Sequence, residues 1–107
     1  MKKILLSTLL LSLVFGVTSL SADSNSIKKG QKVYLKKLKS KCQMSGARMA
    51  VKHTQSEWKE IYDGKNLNIE MKKECPKIKK DLKPKHESQL FDFLYEYGSD
   101  SGNVPSC

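Results

Sequence analysis

Lys2 and Lys3 precede an apolar run from Ile4 to Val17, and the small, polar stretch Thr18-Ser19-Leu20-Ser21-Ala22 follows it. A charged start, a short hydrophobic segment and small residues at the exit are the requirements of a secretory signal peptide. The run is shorter than the roughly 20 residues a helix needs to span a bilayer, and no second such run follows, so cleavage is expected rather than anchoring. Ser19 and Ser21 suit the positions before a cut, which places it after Ser21 or one residue later; with the later cut the signal peptide is 1–22 and one small domain is 23–107. Of 107 residues, about 85 then remain. A single core of that size is marginal by area alone, and a disulfide in an oxidising compartment would help it.

Three cysteines, Cys42, Cys75 and Cys107, allow one intramolecular bridge and leave one thiol over. Joining Cys42 to Cys75 or Cys75 to Cys107 closes loops of nearly equal length. Either is worth about 3 to 4 kcal/mol in the chain-entropy model, so energetics does not choose between them. Removal of Lys2 and Lys3 lowers the net charge from +9 to +7. The basic residues are nineteen lysines and the single Arg48. Sequence-specific nucleic-acid reading favours arginine forks, so this balance, together with export, argues against a nucleic-acid partner. Residues 24 to 53 hold eight lysines, Arg48 and no acid, whereas residues 87 to 107 hold Glu87, Asp92, Glu96 and Asp100 and no basic side chain. That polarity favours bringing the first and last helices together.

The periodicity predicts an all-α chain of four to five short helices. From Ser26 to Cys42 the apolar positions Ile27, Tyr34, Leu35, Leu38 and Cys42 share one side of a 3.6-residue period, with lysines opposite. Ser26 can cap this helix, and Gly30 at the edge of its apolar face would let another helix approach closely. After the Ser45-Gly46 break, Ala47 to His53 reads as a short helical turn with Met49 and Ala50 inward. Thr54-Gln55-Ser56-Glu57 is a capping box that starts a helix with Trp58, Ile61 and Tyr62 as its buried stripe and Gly64 as its stop. Asn66 or Asn68 can cap a third segment through Cys75, closed by Pro76. Residues 77 to 85 read as a basic connection. The last helix is expected from about His86 to Tyr97, with Leu90, Phe91, Phe93, Leu94 and Tyr97 in its apolar arc and Gly98 as its stop. The tail from Ser99 to Cys107 is built of turn formers, and a partner for its cysteine would hold it down.

Gly30-Gln-Lys-Val-Tyr34 followed by Cys42, with Leu94-Tyr-Glu-Tyr97 near the end, resembles the crossed N- and C-terminal helices of c-type cytochromes. There, a small residue and an aromatic four later pack on a leucine and an aromatic three later. The resemblance implies a cytochrome c-like helical bundle and an electron-transfer setting. The haem-attachment motif C-x-x-C-H is replaced by Cys42-Gln-Met-Ser45-Gly46. Serine forms no thioether and glycine ligates no iron, so covalent haem of the ordinary kind is excluded. For haem held without that motif, the imidazoles of His53 and His86 and the thioethers of Met44, Met49 and Met71 are the candidate axial ligands. The resemblance also makes Cys42 the remnant of an attachment cysteine. On that reading Cys75 and Cys107 are the added pair and Cys42 is free.

No catalytic constellation is present. There is no Gly-rich phosphate loop and no nucleophile elbow, and the three cysteines and two histidines lack the spacing of a structural zinc motif. The chain reads as a binding protein rather than an enzyme. Two functional readings stand side by side. In the first, a haem-less or non-covalently haem-binding cytochrome c-like protein of the periplasm docks an acidic partner, such as a redox protein, through Lys28, Lys32, Lys36 and Lys39. In the second, a disulfide-stabilised basic module uses the same lysines to bind an anionic surface, either lipid headgroups or cell-wall polymer.

Overall fold

The computed structural model describes residues 24–105; the proposed signal peptide and Cys107 lie outside them. Helix runs unbroken from Ser24 to Cys42 in three pieces: α1 (Ser24–Val33), a π-helical turn (Tyr34–Leu38) and α2 (Lys39–Cys42). Ser26 therefore sits inside the helix instead of capping it, and its hydroxyl donates to the Asp92 carboxylate. The π turn widens the helix so that Tyr34, Leu38 and Cys42, spaced by four, all face the core. Leu35, expected on that face, is turned outward and is 38% exposed, while Val33 is buried in the core. Gln43 ends the helix with a left-handed backbone, φ 56°.

Three short helices follow. In α3 (Gly46–Ala50) the Ser45 hydroxyl accepts from the Arg48 amide at 3.2 Å, and Met49 and Ala50 are buried as their spacing predicts. The capping box of α4 (Gln55–Asp63) is formed in full. The Thr54 amide donates to Glu57 Oε1 at 2.9 Å, and the Glu57 amide donates to Thr54 Oγ1 at 3.2 Å. Trp58 is completely buried and its Nε1 donates to the Ala50 carbonyl at 2.8 Å. After Gly64 it is Lys65, φ 62°, that takes the left-handed conformation. Helix α5 (Leu67–Glu74) buries Leu67 and Met71.

The last helix, α6 (Pro84–Glu96), starts two residues before His86, because proline at its first turn needs no amide partner. It lies across α1 as its main packing partner. Gly30 marks the closest approach. A Cβ there would meet the Gln89 carbonyl oxygen at 1.9 Å, so only hydrogen fits. Tyr34 stacks near Phe93, with centroids 6.3 Å apart, and Leu90, Phe93 and Leu94 are completely buried. Ile27 and Tyr97, expected in the same contact, are half-buried at its rim. The architecture of the described residues is all-α, with no strand and one disulfide.

That disulfide joins Cys42 to Cys75, whose Cα atoms are 4.7 Å apart, and so corrects the expected Cys75–Cys107 pairing with Cys42 free. The physical reason lies at both ends. Cys42, at the end of the first helix, is buried and lies against the C-terminal end of α5, where Cys75 follows the last helical residue. The tail, for its part, has other restraints. The Ser99 amide donates to the His53 carbonyl at 3.0 Å, and the Gln55 amide donates to Asp100 Oδ1 at 2.9 Å. Gln55 Nε2 also reaches the Tyr95 carbonyl at 2.9 Å. Hydrogen bonding to the start of α4 thus holds the tail through Asp100.

Candidate functional site

The segment between α5 and α6 is irregular but firmly placed. The Ile78 amide donates to the Cys75 carbonyl at 2.9 Å, and the Ile78 side chain is buried. Four residues on, Leu82 is gripped by Asn68. The Leu82 amide donates to Asn68 Oδ1 at 2.8 Å, and Asn68 Nδ2 returns a longer bond to the Leu82 carbonyl at 3.4 Å. Asn68 is therefore a clasp rather than the helix cap expected of it. Neither does Asn66 cap α5 with its side chain.

Holding Ile78 and Leu82 down turns the lysines between and beside them outward. Lys79, Lys80 and Lys83 form one wall of a groove of about 560 Å³, and Lys36, Lys37 and Lys41 of the first helix form the other. Leu38, Ile78 and Leu82 make an apolar floor. A second hollow of about 210 Å³ shares Lys36, Lys37 and His86 and extends the basic strip past Lys32 to Lys29. Asp81 lines the groove too, but its carboxylate is paired with Lys72. Six lysines lining one groove, with little acidic charge beside them, make a field that attracts anions.

The predicted docking face is divided by this geometry. Lys36 lines both hollows and Lys32 the smaller one. Lys39 instead borders a separate groove with Met44 and Arg48, and Lys28 is exposed on α1. Sequence reasoning missed Lys79, Lys80 and Lys83 as groove residues. The available signal was the four-residue spacing of Ile78 and Leu82 among them, which pins one side of the connection and leaves the lysines on the other.

The candidate haem ligands are not brought together. Met49 and Met71 are completely buried within the packed core beside Trp58 and Leu67. Met44 borders one groove and His86 another. Both ring nitrogens of His53 face carboxylates, Nε2 at 2.8 Å from Glu70 Oε2 and Nδ1 at 3.5 Å from Glu57 Oε1. An axial pair must approach one iron from opposite faces of a shared cavity, and these five side chains do not fit that requirement. No family model, curated protein or solved structure matches the chain.

Proposed function

We propose that this chain is an exported, non-enzymatic docking module that seats an acidic segment of a partner protein in its lysine-lined groove. The observation that carries the reading is the pair of facing walls, Lys36-Lys37-Lys41 and Lys79-Lys80-Lys83, over the floor of Leu38, Ile78 and Leu82. Lysine supplies mobile point charges without a fixed fork, which suits a run of carboxylates more than one shaped anion. Export is supported by the signal-like start and by the disulfide. The resemblance of the first and last helices to those of c-type cytochromes, which the close α1–α6 crossing at Gly30 is compatible with, makes an acidic redox protein one candidate partner. Docking to an anionic lipid surface is less well served by a concave site. Tyr34, the first helix's one aromatic residue, is buried and offers no membrane anchor.

Calorimetric titration of the mature chain with a glutamate-rich peptide tests the reading. Binding is expected to weaken as salt rises, and to fall about tenfold or more in Lys79→Glu/Lys80→Glu while Lys73→Glu leaves it unchanged. No binding at low ionic strength contradicts the proposal. Binding to vesicles of anionic lipid without affinity for the peptide transfers the role to a membrane surface. A visible-light spectrum of the purified protein is expected to lack a Soret band.

A further inference from the structure

On the other side of α5 from the clasp residue Asn68, three side chains converge that no spacing motif announces. His53 lies in the turn before α4, and Glu70 and Glu74 occupy successive turns of α5. One ligand atom from each lies within 4.8 Å of the other two. The three are shielded but reachable, with side chains 23%, 12% and 22% exposed. From this convergence we infer that His53, Glu70 and Glu74 form a site for a divalent cation of the zinc type, independent of the lysine groove.

The ligand set selects the class of ion. One imidazole nitrogen with two carboxylate oxygens suits a borderline metal such as Zn²⁺, whereas Ca²⁺ and Mg²⁺ prefer oxygen alone. Three protein ligands leave a fourth position for water. The imidazole is also set in place for ligation through Nε2. Trp58 meets its ring edge-on at 4.6 Å, and the Ser99 amide holds its carbonyl. Glu57, itself fixed by the capping box, stands at Nδ1. A carboxylate behind the distal nitrogen is the arrangement that orients and strengthens a metal-bound histidine. Ligands of a tetrahedral zinc are about 3.3 Å apart. Nε2 and Glu70 Oε2, at 2.8 Å, therefore need to open slightly, and the Glu74 carboxylate needs to swing inward.

Lys52 is the counterforce. Its Nζ lies 3.5 Å from Glu74 Oε1, so an incoming cation has to displace it. This gives the proposal a signature that a purely structural ion network lacks: removing a lysine should tighten the binding of a cation.

The test is calorimetric titration of the chelator-treated mature protein with zinc chloride, with Co²⁺ absorption as a second readout of coordination geometry and calcium chloride as the control. One zinc per chain is expected, with no heat from calcium. Affinity should fall about tenfold or more in Glu70→Gln, Glu74→Gln and His53→Ala, and rise several-fold in Lys52→Met. Glu74→Gln and Lys52→Met leave the core intact, so the two opposite shifts stay readable even if His53→Ala unfolds the chain. Absence of zinc binding, affinity unchanged by Glu70→Gln and Glu74→Gln, or binding lost in His86→Ala instead would overturn the assignment.

Discussion

Gly30 and Gln89 are in backbone contact across the α1–α6 crossing, with room at Gly30 for a hydrogen and nothing larger. Gly30→Ala should force the helices apart where Tyr34, Phe93 and Leu94 are completely buried. Helix propensity alone would make that substitution favourable by roughly 1 kcal/mol. Overpacking of a close crossing costs about 1 to 3 kcal/mol or more and is expected to win. Urea denaturation of Gly30→Ala should show a lowered midpoint, and a raised midpoint would mean the crossing is looser than described.

The Cys42–Cys75 bridge separates the roles of the three cysteines. Cys75→Ser should destabilise the domain by about 3 to 4 kcal/mol, since the bridged residues are 33 apart in sequence. Cys107→Ser should leave the unfolding midpoint unchanged. Non-reducing peptide mapping checks the pairing directly, and a Cys75–Cys107 crosslink would refute it.

Glu57 links acid stability to the capping box. Its carboxyl is held below its ordinary value, chiefly by the hydrogen bond from the Thr54 backbone amide. A carboxylate lowered on folding adds stability that is present above its unfolded value and lost as pH falls through its folded value. Glutamine can make the same reciprocal bond without titrating. The melting temperatures of the native chain and Glu57→Gln should therefore converge as pH drops from about 6 to about 3, and parallel curves would contradict the link.

How legible these features were depends on the range of the interaction that makes them. The Thr54–Glu57 box spans three residues and is written in side-chain chemistry alone, so its residues were identifiable at once. Gly30 was readable because a missing side chain on an apolar face has few other uses. The π turn at Tyr34–Leu38 was not, since a one-residue widening of a helix carries no composition signal, and it moved Leu35 outward. The Cys42–Cys75 pairing was not readable either, because it brings together residues 33 apart in sequence. The Asn68–Leu82 clasp and the Gln55–Asp100 bond join residues 14 and 45 apart, and each uses a residue type with many local roles. The second lysine wall follows from the Asn68–Leu82 clasp, a contact that helical periodicity does not reveal, so the sequence pattern points to the first helix alone as the docking face.

The central claim is that an acidic segment lies between the two lysine walls, and amide chemical-shift mapping of the labelled mature chain with a glutamate-rich peptide tests it most directly. The largest shifts are expected at Lys36 to Lys41 and Ile78 to Lys83, with weaker ones toward Lys32 and little change at Lys59 or Lys73. Shifts confined to the Lys39–Arg48 groove, or spread evenly over every exposed lysine, would contradict it.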